Sequence, residues 1–266
     1  MKAKPMSFFF VLAALMIAGC CFGSVAPARP NGLYKFEGKL NGKIPVFLWF
    51  TVKDSVLKGE VTYTNTAKRI PIIVAGTLEK TSEAISYDLS AKTNFLRIRE
   101  FAGDGTITGV FLGEITAGTF KGLWQAPNTE KQLPFILTAS ITALPKAIDF
   151  TLKPISLNGA YTYHYGKNGY VGGVDINQTK SGMVTVALNS VTAGPAYNIA
   201  EVAAQPATVR GNIINVKLPH VNCKFRIRVF KDFLVVNLLN DLDKCEWGNN
   251  ATVEGIYLKT SAVGKF

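Results

Sequence analysis

The sequence is short of the groups on which most enzymes and metalloproteins depend. It holds two histidines and four cysteines in 266 residues, and two of the cysteines, Cys20 and Cys21, are neighbours near the start. His164 and His220 are isolated, and no G-x-S-x-G elbow is present, so hydrolytic triads have no support. A zinc site needs four ligands, and Cys223, Cys245 and two scattered histidines do not form a ligand pattern. Gly38 to Ile44 (GKLNGKI) lacks the spacing and the hydroxyl residue of a phosphate loop. Gly103 to Gly109 (GDGTITG) has the wrong glycine spacing for a dinucleotide loop. The 18 acidic residues are dispersed, and none stands out as half of a glycosidase pair. The expectation is a protein without catalytic residues, metal or cofactor. Nothing marks it for nucleic acid.

Long apolar runs are also lacking, with one exception. Phe8 to Ala18 (FFFVLAALMIA) follows Lys2 and Lys4. The run is too short to span a bilayer and right for an export signal. Its end, Ile17-Ala18-Gly19-Cys20, resembles a bacterial lipobox, which implies a signal peptide over 1–19 and acylation of Cys20. The competing cut follows Ala28 in Ala26-Pro27-Ala28, ten residues past the apolar run, and would leave a soluble periplasmic or secreted chain. Acyl chains add about 0.8 kcal/mol per buried methylene, so two or three would anchor the protein durably. Residues 20–30 then read as a linker, and Cys21 has no assigned role. In an oxidising compartment Cys223 and Cys245 are expected to form a disulfide.

Acidic charge is scarce relative to basic. Of 29 basic residues two leave with residues 1–19, so the mature chain keeps a net charge near +9 against its 18 acids. The excess is spread through both halves, which suits an anionic envelope polymer or ordinary solubility.

What the chain has in quantity is period-two alternation punctuated by turns. KIPVFLWFTV and VLKGEVTYT flank Lys53-Asp54 as a hairpin. LRIREF and TITGVFLGEI flank Ala102 to Gly105, where Asp-Gly signals a tight turn. TFKGLW and QLPFILTASI follow. An apolar residue, a spacer and a glycine recur at Gly38, Gly59, Gly76, Gly109 and Gly122. Glycine inside a strand marks a bend or close approach, so residues 31–142 read as a meander closing into a small barrel, with a flat sandwich as the alternative. Pro145 and Pro154 break the rhythm and place a linker at 143–157.

A second all-β domain is expected at 158–260, giving two antiparallel meander- or barrel-like domains in tandem. Asn31-Gly32-Leu33-Tyr34-Lys35-Phe36 and Asn158-Gly159-Ala160-Tyr161-Thr162-Tyr163 open the two halves with the same pattern. GYVGGVDINQ and MVTVALNSV pair, NIINVKL, CKFRIRVF and FLVVNLL are strands, and TVEGIYLK closes the domain. YNIAEVAA is ambiguous and reads as a short helical turn before Pro206. Alternation in Cys223 to Val229 sets Lys224, Arg226 and Arg228 on one face, about 7 Å apart, either as a docking stripe or as edge protection. The Tyr161 to Tyr165 cluster around His164 reads as strand aromatics, with sugar stacking as the other use.

The segments YNIAEV, CKFRIRVFKDFLVV and CEWGNNATVEGIYLK resemble a small periplasmic β module associated with bacterial lysozyme inhibitors and many lipoproteins. The resemblance covers roughly residues 180–260, with Cys245, Trp247, Gly248, Asn250, Gly255, Tyr257 and Lys259 carrying it. It implies a disulfide-fixed last hairpin and a rigid loop, Trp247-Gly248-Asn249-Asn250, that enters an enzyme cleft. The implied partner is a lysozyme-type muramidase, although such inhibitors gain from an acidic surface and this chain is basic. The function expected is therefore non-catalytic binding at the cell envelope, inhibitor-like in its specific form. A small apolar ligand carried in the first barrel is the alternative, and it requires a cavity of several hundred Å³. An envelope enzyme would need dispersed acids to converge in a cleft.

Overall fold

The computed structural model describes residues 31–79, 95–127, 129, 131–143, 156–166, 168–180 and 182–265. The expected export signal, Cys20, Cys21 and the two prolines of the expected linker lie outside them. Among the described residues sixteen strands form two closed antiparallel barrels of eight. The first holds β1 (Gly32–Leu40), β2 (Ile44–Lys53), β3 (Val56–Tyr63), β4 (Ile72–Glu79), β5 (Phe95–Phe101), β6 (Ile107–Thr116), β7 (Thr119–Gln125) and β8 (Gln132–Ala139). The second holds β9 (Gly159–His164), β10 (Val171–Lys180), β11 (Met183–Val191), β12 (Ile199–Arg210), β13 (Ile213–Lys217), β14 (Lys224–Val229), β15 (Phe233–Leu238) and β16 (Gly255–Ser261). Within each barrel every strand pairs with the next in sequence. β8 closes on β1 and β16 on β9.

The alternation read from the sequence sorts into inside and outside. Phe36, Leu48, Phe50, Phe111, Phe120 and Phe135 fill the first barrel, while Lys39, Glu37 and Lys121 face out. A barrel spanning a membrane has the reverse arrangement. The recurring glycines all sit at inward register positions. At Gly59 a Cβ would collide with the Trp49 carbonyl on β2, so this coiled close approach admits no side chain.

Both Asn-Gly openings do the same job. Gly32 pairs with Val52, and Asn31 Oδ1 accepts the N–H of Asp54 two residues on, at 3.0 Å. Gly159 pairs with Ile176, and Asn158 Oδ1 accepts the N–H of Gln178 two residues on, at 2.5 Å. The six-residue match is thus a shared structural device: the first strand's asparagine ties down the far end of the second strand.

The segment expected to turn helically before Pro206 is instead the longest strand, β12. Its Ala-rich composition favours helix, but Ala200 and Val202 alternate into the core and pair with β11. β13 pairs only with Thr208 to Arg210, so Pro206 lies where β12 has an open side, the place a strand tolerates a missing N–H.

The outward face of β3 to β6 packs on the outward face of β9 and β14 to β16. Val56, Ala75, Phe101 and Ile107 of the first barrel belong to one buried apolar cluster with Phe233, Val235, Ile256 and Leu258 of the second. Lys58, buried in this seam, pairs with Asp232 and lies 5.8 Å from the Phe233 ring centroid. His164 N–H donates to the Gly105 carbonyl at 3.1 Å, and its Nε2 is 2.7 Å from Thr106 Oγ1. Arg228 crosses to donate to the Asp54 carbonyl at 2.9 Å.

Candidate functional site

The barrels differ at their ends. In the first, the ring stack of Tyr34, Phe36, Phe50, Phe120, Phe135 and Phe111 plugs the interior from the middle to the end where β1 begins. The opposite end, where β3, β5 and β7 finish, opens into a cavity of about 620 Å³. Leu40, Ile44, Ile72, Ile73, Phe101 and Leu133 give it apolar walls, and Asn65, Thr66, Ile70 and Pro71 of the β3–β4 loop form its rim.

Among the described residues that line it, one side chain is charged. Glu100 lies on the inward face of β5 with Leu96 and Ile98 and is 1% exposed. Tyr63 Oη donates to its Oε1, as does Trp124 Nε1 at 3.2 Å, and Thr108 Oγ1 reaches Oε2 at 3.4 Å. Its partner across the ladder is Gly109, where a Cβ would strike both the carboxylate and the Trp124 indole. The glycine makes the room that the acid and the indole occupy.

Burial raises the Glu100 pKa above the ordinary carboxylate range, and the three donors only partly offset it. Burial, then the adjacent carboxylate, pushes the Tyr63 hydroxyl far up, which keeps it a hydrogen-bond donor. The arrangement offers a ligand an apolar chamber with a single acidic polar point in its wall. It does not bring a second acid to Glu100, so the convergent pair a glycosidase needs is absent from the described residues lining the cavity.

The residues singled out in sequence lie elsewhere. Cys223 and Cys245 are buried and joined in a disulfide. It anchors a 3₁₀ turn, Leu242–Cys245, ahead of the Trp247 loop. Trp247 is half-buried against the second core, with its Nε1 donating to the Glu201 carbonyl at 3.3 Å. Gly248, Asn249 and Asn250 are exposed. Two bonds hold them to the head of β12: Asn198 Nδ2 to the Asn249 carbonyl at 2.8 Å, and Gly248 N–H to the Ile199 carbonyl at 3.2 Å. The cationic stripe is not continuous. Lys224 and Arg226 are exposed, and Arg226 Nε donates to Asn215 Oδ1 at 3.2 Å, but Arg228 is drawn into the inter-barrel seam. Among the described residues no three of His, Cys, Asp and Glu gather as a metal site.

Glu100 was missed, though its signal is in the sequence. In Leu96-Arg97-Ile98-Arg99-Glu100-Phe101 the acid takes the same parity as Leu96 and Ile98, and a carboxylate on the apolar face of a strand is the informative exception. No known family model matches the chain, and no curated protein matches it.

Proposed function

We propose that this is a non-catalytic lipoprotein of the bacterial cell envelope whose first barrel binds a small apolar molecule bearing one polar group. The export signal and the lipobox-like residues ending in Cys20 support the location. The single observation that carries the binding reading is the apolar cavity at the mouth of the first barrel, with Glu100 buried in its wall. Its volume falls within the range of small-molecule sites, and one fixed polar group in an apolar lining is the usual composition of such sites. A ligand N–H or O–H meets the Glu100 carboxyl, and the apolar body packs on Ile44, Ile72 and Leu133.

The test uses the mature chain, begun after Cys21, and the apolar fluorophore phenylnaphthylamine. Saturable enhancement at one site is expected. Asn65→Trp, which places an indole at the exposed rim, abolishes it, and Glu100→Gln weakens it. Enhancement that survives the rim block sinks the reading.

A second reading is the muramidase inhibitor. It is favoured by the exposed Gly248 to Asn250 segment, held by a disulfide nearby and two hydrogen bonds to β12. A lysozyme panel followed by cell-wall clearing tests it: inhibition lost on Asn249→Ala and Asn250→Ala supports it, and none across the panel removes it.

A further inference from the structure

A second cleft lies outside the first barrel, where the two barrels meet. Arg97 and Arg99 project from the outward face of β5, opposite in parity to Glu100. Successive outward positions on a strand stand roughly 7 Å apart. The cleft holds about 480 Å³ on one side of these arginines, lined by Gln125, Tyr163, Tyr165 and Tyr170. It continues on the other side as a lobe of about 300 Å³ that reaches Thr77 and Asn237. The same two arginines, with Glu254, border both lobes. The shape is a groove with two guanidinium groups at its centre.

Its walls have a definite chemistry. Arg99 Nε donates to Tyr165 Oη at 2.8 Å, which fixes the guanidinium beside the ring. Tyr165 meets Tyr170 edge to face with centroids 6.4 Å apart, and Tyr163 meets Tyr165 in the same way at 5.9 Å. Tyr170 is 46% exposed, so the series runs from solvent into the second barrel. Glu254, the one acid among the described residues lining the cleft, accepts the Leu238 N–H at 2.7 Å through Oε1.

We propose that this seam is a binding site for an acidic oligosaccharide. Planar guanidinium groups bind carboxylates in a forked, paired geometry. Tyrosine rings offer apolar faces to sugar C–H groups and hydroxyls to sugar oxygens. The two-lobed groove suits a chain better than a compact molecule, and the net positive charge of the protein draws an anionic polymer toward it. The site is separate from the apolar cavity, because Arg97, Arg99 and Glu100 stand on opposite faces of one strand.

Binding of fluorescently labelled galacturonic acid oligomers to the mature chain tests this by anisotropy. The expected result is saturable binding that is far stronger than for the single sugar. It weakens about tenfold or more in Arg97→Gln/Arg99→Gln, the loss expected when forked carboxylate contacts go. Tyr170→Ala, a half-exposed ring whose removal leaves the core intact, weakens it as well. A charge-matched control, Lys224→Gln/Arg226→Gln, leaves it unchanged, and every variant still binds phenylnaphthylamine, which shows that the first barrel is folded. Equal loss in the control, tighter binding of an oligoglutamate peptide than of the sugar, or no binding overturns the proposal.

Discussion

The two barrels share a strand order, a closure and an opening asparagine bond, yet they keep their interiors differently. The first concentrates its rings in a plug and leaves one mouth open around a buried acid. The second spreads Tyr161, Phe225, Ile227, Leu234 and Tyr257 through its core and fixes its last hairpin with Cys223–Cys245. The contrast teaches that closure of an eight-stranded barrel leaves its ends to be decided separately. Where inward side chains are large to the end, the barrel is solid. Where the end is framed instead by Leu40, Ile44, Ile72 and Leu133 under the β3–β4 loop, space for a ligand survives.

That contrast can be broken at its strongest point first. Phe120 touches the rings of Phe36, Phe50 and Phe135. Phe120→Ala should lower stability by about 4 kcal/mol in urea unfolding, because the plug cannot collapse to fill the void. If the variant loses less than a quarter of that, the plug does not carry the first barrel.

The second barrel's counterpart is the disulfide. Its cysteines are 22 residues apart, and Cys223→Ala/Cys245→Ala should cost about 3 kcal/mol on the loop-entropy account. Reductant should reproduce the loss in the wild type and leave the double variant unchanged.

Glu100 separates the barrels by pH. Its pKa is raised in the folded chain, so its contribution is fully present below the ordinary carboxylate range and is lost as pH rises through the elevated folded value. The wild type should therefore lose stability on going from acid to neutral pH relative to Glu100→Gln, in which that slope disappears. Parallel curves for the two proteins would mean the acid ionises in the fold without penalty.

The smallest effect sharpens the likeness. Asn31→Ala and Asn158→Ala each remove one equivalent bond and should each cost about 1 kcal/mol in thermal unfolding. A large loss in one and none in the other would show that the shared opening has diverged in role.

Much of this architecture could be read from residues. Alternation in LRIREF and CKFRIRV, the Asp-Gly turn and the spaced glycines all specify coiled antiparallel strands, and the strands form where those patterns lie. The disulfide was expected from reading the N-terminal run as an export signal and from the isolation of the two cysteines. Three features were not legible. β12 was obscured by alanine and proline, whose local preferences yield to pairing with β11. The seam was hidden because Phe101, Val56 and Phe233 look like ordinary strand residues until the two outer faces meet. Arg228 looked like part of a surface stripe, and only the docking of the barrels brings the Asp54 carbonyl to it.

The measurement closest to the central claim is a methyl NMR titration of the mature chain with phenylnaphthylamine. The account predicts saturable shifts at Ile44, Ile72, Ile73 and Leu133 around the first mouth, with Val216, Ile227 and Leu234 of the second core unmoved. Shifts centred on the second barrel, or none at the mouth while the probe binds, would contradict it.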